Sequence, residues 1–254
     1  MALKKHGAIE SLAAFDAEYA AGRSWLMGID EAGRGCLAGP VCAAAAAVKT
    51  RSYAVPAFLE TLAGLDDSKK LSEHQRAELY AKLVELKKNG WLDFEAAFAS
   101  VDEIEKLNIL GATQLAMARA ARKLDERQKL YLRAAAAPAT LFGEQSLDTS
   151  NACILIDGKP MKKFPYAHTA VVKGDASSLA VAAASIVAKV SRDALMDELA
   201  RKYPRYGFDA HKGYGTAAHL QNLMLFGSCE IHRPSFLKKL RDDGGEKETQ
   251  SELF

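Results

Sequence analysis

Two adjacent acids, Asp30 and Glu31, follow an apolar stretch and precede a turn with three glycines. Successive side chains of an extended strand point to opposite faces, so both carboxylates approach one ligand only if the strand ends or bulges there. Gly33, Gly35 and Gly39 permit such a bend and expose backbone N–H groups to anionic oxygens. The segment is typical either of a ligand site or of a strand that simply ends in a polar turn.

Two further acids, Asp157 and Asp175, each lie next to a glycine after an apolar stretch. Ligands collect at the carboxyl ends of strands in an open α/β sheet, so aligned neighbouring strands would bring these acids to Asp30 and Glu31. Asp193, inside a predicted helix, is an alternative fourth carboxylate to Asp175. Since an ion pair is the commoner role of a helical acid, and since Asp157 and Asp175 taken singly could be turn acids, the residues alone leave this choice open.

Converging carboxylates repel one another in a partly buried site, so such a cluster persists only with cations bound. Oxygen ligands without histidine or thiolate favour Mg²⁺ or Mn²⁺ over zinc. Two such ions about 4 Å apart can hold a phosphodiester, activate water and stabilise the leaving oxygen. The four acids therefore predict metal-dependent phosphodiester chemistry.

The elements that must position these acids alternate along the chain. Apolar stretches predict five strands, at 24–29, 41–48, 91–98, 152–156 and 166–172. Ser72 with Gln75 and Ser100 with Glu103 have the spacing of helix-capping pairs. Helices are predicted over 8–22, 72–88, 100–132 with a break at 108–111, 178–203 and 217–226, followed by a short basic helix after 231–236. This order predicts an α/β layer fold with a helical C-terminal flank.

The domain prediction is a leader helix at 1–23, a catalytic domain at 24–241 and a disordered acidic tail at 242–254, with a surface excursion at 133–151. The tail carries a net charge of −4 and leaves +6 on residues 1–241, which permits a polyanionic partner. Four cysteines without metal or disulfide spacing favour a reducing cytoplasm. We expect no membrane segment, and a monomer.

Six ordered motifs carry a resemblance to one family. They are Gly28-Ile-Asp-Glu-Ala-Gly-Arg-Gly-Cys-Leu-Ala-Gly-Pro40, Asp67-Ser-Lys-Lys-Leu-Ser72, Ile156-Asp-Gly158, Lys173-Gly-Asp175, Ala182-Ala-Ala-Ser-Ile-Val-Ala-Lys-Val-Ser-Arg-Asp193 and His211-Lys-Gly-Tyr-Gly-Thr216. Over roughly residues 24–240 the chain resembles bacterial ribonuclease HII. The only departure is the long 133–151 segment, which leaves the site motifs intact.

The resemblance implies a ribonuclease H-like fold, a five-stranded mixed sheet flanked by helices. It implies hydrolysis of RNA in RNA–DNA hybrids and incision 5′ of single ribonucleotides in duplex DNA, leaving a 3′-hydroxyl and a 5′-phosphate. The catalytic and metal-binding positions fall on Asp30, Glu31, Asp157 and Asp175, with Mn²⁺ or Mg²⁺ in a two-metal site. The resemblance therefore favours Asp175 over Asp193.

The resemblance also implies the residues that contact substrate. The turn of Gly33, Arg34 and Gly35 matches the part that senses the 2′-hydroxyl, the group that distinguishes RNA from DNA. Tyr214 matches a tyrosine that packs on the sugar after the ribonucleotide. Phosphate contacts are implied for Ser68 and Lys69, Lys173 is a further candidate, and Asp193 and His211 are accessory candidates.

The last five residues, Gln250-Ser-Glu-Leu-Phe254, resemble the short peptide with which bacterial proteins dock on the replication sliding clamp. Gln250, Leu253 and Phe254 are the predicted contacts, in a peptide-in-groove mode. Ribonuclease HIII, which carries an additional N-terminal domain, is the less favoured enzyme because only 23 residues precede the first predicted strand. The rival from another class is a non-catalytic, nucleic-acid-binding module tethered to the clamp, whose acids are structural.

Overall fold

The computed structural model describes residues 2–20, 22–65, 68–135 and 150–238. The strands are β1 (Trp25–Ala32), β2 (Val41–Lys49), β3 (Leu92–Ala99), β4 (Ala152–Asp157) and β5 (Thr169–Val171). The helices are α1 (Ala2–Ala20), α2 (Pro56–Thr61), α3 (Glu73–Lys88), α4 (Val101–Gln128), α5 (Leu179–Lys202), α6 (Phe208–His211) and α7 (Ala217–Phe226). Short 3₁₀ turns lie at Thr50–Ala54, Ser68–Lys70 and Gly174–Ala176, and residues 234–238 are helical.

The five strands form one mixed sheet in the order β3-β2-β1-β4-β5. β1, β2 and β3 pair antiparallel, whereas β4 pairs parallel to β1 and β5 parallel to β4. The predicted sheet is confirmed, although β5 is much shorter than the predicted 166–172. The three strands that end near acids are therefore parallel neighbours, as the site requires.

Helices cover both faces of the sheet and bury two apolar layers. Leu26 and Leu155 face the layer of α1, α3 and α5, and Met27 and Ile29 face the layer of α4. The alanine run of β2 alternates between the two layers, and its small side chains let helices approach from both sides. The sheet is thus a rigid centre that fixes where each strand ends.

Local sequence signals predict most helix boundaries correctly. Both capping boxes are present, at Ser72 before α3 and at Ser100 before α4. The predicted break in α4 occurs at Asn108, which has φ +56° and accepts N–H hydrogen bonds from Leu110 and Gly111. The helix then continues to Gln128, so the break is a capped kink within one element.

Some predictions fall outside the described residues. Asp67 of the second motif, most of the 133–151 segment and the tail from residue 239 onward, with its clamp peptide, are among them. The leader helix begins at Ala2, earlier than the predicted residue 8. In the described part of the chain, no helix combines the length and apolar character that crossing a membrane requires.

Candidate active site

Asp30 and Glu31 lie near the end of β1, where the strand is still paired with β2. Asp30 pairs with Ala44 and Glu31 with Ala43, and this antiparallel register continues to Ala32, so β1 does not bulge at the acids. Of the two expected arrangements, a strand that ends or a strand that bulges at the acids, the bulge is not formed, and β1 continues to Ala32, past its predicted end at residue 29. The opening arises on the other side, because the parallel pairing of β1 with β4 stops at Ile29.

Asp157 lies beside Asp30 because of that parallel register. Ile29 pairs with Ile156, so Asp30 and Asp157 are the next residues of two adjacent strands and share one face of the sheet. Oδ1 of Asp157 accepts a hydrogen bond of 2.7 Å from the N–H of Gly174. This bond joins the end of β4 to the 3₁₀ turn that holds the buried Asp175.

Negative charge accumulates at this edge of the sheet. Burial raises the pKa of Asp30 well above its ordinary value, and the carboxylates of Glu31 and Asp157 raise it further. Oε2 of Glu31 is buried and has no hydrogen-bond partner among the described residues. A hard cation bound here would take the unpaired buried oxygen as a ligand and would offset the repulsion among the carboxylates.

The described residues fit such a cation without forming a finished binding site. No group of three or more His, Cys, Asp and Glu side chains in the described ranges lies close enough together to hold a metal ion. Asp30, Glu31 and Asp157 are brought into electrostatic contact.

Arg34 links the acids to a cavity on the α4 side of the sheet. Its guanidinium lies 2.9 Å from Oε1 of Glu31 and is about half exposed. It also lines a cavity of about 640 Å³ whose rim includes Lys159, Lys162 and Lys163. The site therefore continues into this cavity, called the basic groove here for its four basic residues, although the rest of its lining is largely apolar.

Ser68 does not present its side chain to solvent. It is 4 % exposed, and its hydroxyl is 2.6 Å from that of Ser185 on α5, whose hydroxyl also hydrogen-bonds Asp30. Ser68 thus supports the carboxylate of Asp30 through Ser185, and its phosphate contact stays a prediction. Lys69 lies in the same 3₁₀ turn, and Lys173, beside Asp175, is exposed.

Asp193 pairs with Lys189, one turn earlier on α5, at 2.7 Å. Lys189 also lies 5.8 Å from the centre of the Tyr214 ring, which is 42 % exposed. Asp193 therefore has the ordinary ion pair that a helical acid favours. Tyr214 keeps an accessible ring, as the packing role predicts.

His211, an accessory candidate, uses both ring nitrogens within its own loop. Nδ1 accepts a hydrogen bond from the N–H of Gly213, so Nε2 carries the proton and donates to the carbonyl oxygen of Tyr206 at 2.7 Å. The ring is buried and stacks on His219 with centroids 4.3 Å apart. His211 therefore organises the loop and is not presented to the carboxylates.

His219 and His232 extend this network, and both are neutral. Nδ1–H of His219 donates to the carbonyl oxygen of Tyr214, and its Nε2 accepts from Nε2–H of His232. Nδ1 of His232 accepts from the N–H of Cys229. Burial lowers the pKa of both histidines, that of His232 to about 4. The pair fixes the backbone at Tyr214.

Two buried arginines bind the glycine turn, and the sequence motifs give neither a role. Arg192 donates to the carbonyl oxygens of Ala38, Pro40 and Lys212. Arg233 donates to those of three further turn residues, Gly33, Arg34 and Gly39. The signal was visible as the Ile231-His-Arg-Pro-Ser-Phe236 block, but nothing local connects it to a turn about 200 residues away.

Comparison with known sequences gives one consistent result. The family model described as ribonuclease HII matches residues 27–239. Ribonuclease HII of Ruminiclostridium cellulolyticum is 41 % identical over 85 % of this chain and 71 % of its own length. Ribonuclease HII of Fusobacterium nucleatum is 41 % identical over 87 % of this chain and 90 % of its own length.

Solved structures share the fold at lower identity. The ribonuclease H2 of Pyrococcus horikoshii has a TM-score of 0.59 and 23 % identity over 86 % of this chain and 98 % of its own. Ribonuclease HII in a PCNA complex from Archaeoglobus fulgidus has 0.55 and 21 %, over 82 % and 93 % of the two chains. Bst-RNase HIII with Mn²⁺ has 0.54 and 19 %, over 83 % and 65 %.

Proposed function

The chain belongs to the ribonuclease HII family and is therefore a metal-dependent hydrolase of the ribonuclease H type, and from this premise we propose its specific reaction. It incises duplex DNA on the 5′ side of a single embedded ribonucleotide and also cleaves the RNA strand of RNA–DNA hybrids. The products carry a 3′-hydroxyl and a 5′-phosphate. Asp30, Glu31, Asp157 and Asp175 perform the reaction.

One observation carries this proposal, the accumulation of negative charge at the edge of β1 and β4, which Arg34 offsets only in part by its ion pair with Glu31. Asp30 is buried, two neighbouring carboxylates raise its pKa, and Oε2 of Glu31 lacks a hydrogen bond within the described chain. Such an arrangement costs stability in the absence of a cation. A purely structural role for these acids would leave that cost unexplained.

The four acids would hold two divalent ions, Mg²⁺ or Mn²⁺, which supply an activated water and stabilise the leaving oxygen. Asp30 and Asp157 lie on one face of the sheet, where Ser185 and the N–H of Gly174 orient their carboxylates. Arg34 holds Glu31 from the other side. These hydrogen bonds position the carboxylates and leave their remaining oxygens free to bind.

Substrate recognition belongs to the turn, the tyrosine and the basic groove. The exposed turn at Arg34 and Gly35 offers backbone donors to the 2′-hydroxyl. The accessible ring of Tyr214 packs on the next sugar. Lys159, Lys162 and Lys163 line the groove beside the carboxylates and bind phosphates of the duplex.

The test is cleavage of a DNA duplex with one ribonucleotide, with Mg²⁺ and with Mn²⁺. We expect a single incision 5′ of the ribonucleotide, and we expect Asp157→Asn to reduce the rate about 100-fold or more, because its amide cannot balance a cation. Asparagine can still accept the hydrogen bond from Gly174. Product ends are read by gel mobility and by ligation.

The matched control is Glu126→Gln, since Glu126 lies on the exposed surface of α4 and pairs only weakly with Arg122. It should cleave at the parental rate. Full activity in Asp157→Asn would refute the carboxylate mechanism. No cleavage by the parent with either metal or with a long hybrid would refute the proposed reaction and favour the non-catalytic binding module.

We also propose that the chain docks on a replication sliding clamp through Gln250, Leu253 and Phe254. The support is the resemblance of the last five residues to clamp-binding peptides, together with the PCNA complex of the Archaeoglobus fulgidus ribonuclease HII. These residues lie outside the described part of the chain. A cytoplasmic location and a monomeric state stay predictions.

Clamp docking is tested by calorimetry of the full chain against a bacterial sliding clamp. Binding should disappear when the chain ends at Thr249 or carries Leu253→Ala with Phe254→Ala, because apolar anchors supply most of a peptide's affinity. Ser251→Ala, at a position without a predicted contact, should bind as the parent does. Equal binding of the shortened chain would contradict this proposal without affecting the nuclease assignment.

A further inference from the structure

Arg233 holds the glycine turn from inside the protein. Its side chain is fully buried, and it donates hydrogen bonds of 2.8, 2.9 and 2.9 Å to the carbonyl oxygens of Gly33, Arg34 and Gly39. Its own N–H donates to the carbonyl oxygen of Leu37 at 2.8 Å. One residue thus binds four carbonyl groups of the same turn.

This arrangement suits a rigid guanidinium and no other side chain. Three carbonyl oxygens in different directions require donors in a fixed fork, which lysine cannot supply. The positive charge is buried among neutral carbonyls, and burial lowers the pKa of Arg233 to about 10. An apolar residue would fill this space at lower cost, so the polar contacts have a purpose beyond filling the core.

The contacts at Gly33 and Arg34 fix two peptide planes. The C=O and N–H of a trans peptide point in opposite directions, and no described peptide is cis. When Arg233 draws the carbonyls of Gly33 and Arg34 inward, the N–H groups of Arg34 and Gly35 must point outward. Both residues are exposed, and neither N–H donates a hydrogen bond within the described ranges.

We propose that Arg233 is a positioning residue that presents the N–H groups of Arg34 and Gly35 to the ribonucleotide and so determines the preference of the site for a ribonucleotide over a deoxyribonucleotide. The inference rests on the proposed function. It assigns the selectivity to a residue about 200 positions from the turn. Arg233 itself touches no substrate.

The test measures dissociation constants for an all-DNA duplex and for the same duplex with one ribonucleotide. The chain carries Asp157→Asn, so that the duplex stays intact, with or without Arg233→Lys. The dissociation constant for the all-DNA duplex divided by that for the ribonucleotide duplex should fall about tenfold with Arg233→Lys, as for the loss of about one hydrogen bond. Affinity for all-DNA duplex should change less than about twofold, because phosphate contacts supply it.

The ratio separates an effect on positioning from an effect on folding. A smaller folded fraction raises both apparent dissociation constants by the same factor and leaves their ratio unchanged. Arg119→Lys is the control, because Arg119 binds Glu103 and the carbonyl oxygen of Phe98 away from the turn. Its ratio should equal that of the parent. Arg233→Gln provides a second variant in case Arg233→Lys does not fold.

Two outcomes would overturn the inference. One is an unchanged ratio in a folded Arg233 variant, which includes equal weakening of both affinities. The other is failure of both Arg233 variants to fold, which would assign the residue to folding alone. An Asp157→Asn parent that cleaves, or that shows no preference for the ribonucleotide, would instead contradict the proposed function from which the inference starts.

Discussion

Arg34 lies between the carboxylates of the site and solvent. It pairs with Glu31 at 2.9 Å, yet almost half of its side chain is exposed. Exposed ion pairs contribute little to stability, so the guanidinium can exchange its partner for a phosphate at small cost. We therefore predict that Arg34 binds substrate and contributes little to the stability of the fold.

Replacing Arg34 by alanine tests this assignment. We expect the free energy of unfolding to change by less than about 1 kcal/mol. Affinity for duplex should fall, and the slope of log K against log salt should decrease by about one, because one phosphate contact is lost. Urea unfolding and fluorescence titrations at several salt concentrations give the two quantities.

Arg122→Ala provides the comparison, since the Arg122 side chain is also exposed, at 66 %, and pairs with Glu126 along α4. It should alter neither the affinity nor the salt slope. If Arg34→Ala instead lost several kcal/mol of stability while the folded protein bound normally, Arg34 would be structural.

Between elements, the contact of β1 with α5 leaves no room for a side chain at Gly28. A Cβ atom on Gly28 would lie 2.2 Å from backbone atoms of Ala180 and Val181. Backbone cannot move aside as a flexible side chain does, so the glycine allows α5 to lie directly on the strand that carries Asp30 and Glu31. The same approach places Ser185 against Asp30.

Gly28→Ala should therefore cost about 3 kcal/mol of stability, because a methyl group is forced into a packed contact. Gly35→Ala is the comparison, since its Cβ would meet nothing within 4 Å and its φ is not positive. Thermal unfolding should show a large decrease in Tm for the first variant and little change for the second. Equal stability of the two variants would show that α5 does not pack on β1 as described.

At the scale of the molecule, the leader helix α1 packs on the core and is hydrogen-bonded to it. Asp16 on α1 is buried, and its Oδ2 accepts hydrogen bonds from the hydroxyl of Tyr53 and from the N–H of Ala180 at the start of α5. Ile9 and Leu12 of α1 are buried with it. The family match begins at residue 27, so this attachment is additional to the matched region.

The attachment predicts a pH dependence of stability. Burial raises the pKa of Asp16 to about 6, whereas the unfolded chain has about 3.9. The folded protein therefore binds more protons between these values, and stability falls as pH rises through this window, by about 3 kcal/mol in total. Below about pH 4 both states are protonated and the cost disappears.

Asp16→Asn removes this titration and keeps an oxygen that can accept both hydrogen bonds. Its free energy of unfolding relative to the parent should increase by about 3 kcal/mol between pH 4 and pH 7. Urea unfolding at several pH values measures the difference, with exposed Asp209→Asn as the control. A difference that does not vary with pH would mean that Asp16 titrates normally.

The sequence by itself determined the features that depend on neighbours along the chain. Capping pairs at Ser72 and Ser100, the kink at Asn108 and the five apolar strands are local signals, and the structure confirms them. The family was also readable from the order of its motifs, and the comparisons confirm it. The roles of the individual site residues stay predictions.

Only the tertiary structure decided which distant residues contact the glycine turn and the strand before it. The absence of a bulge at Asp30 follows from its pairing with β2, and the support from Arg192 and Arg233 joins segments 150 to 200 residues apart. The burial of Asp16 likewise depends on the packing of α1 against the start of α5. Such contacts arise from packing between distant segments, which no periodicity or spacing within a single stretch encodes.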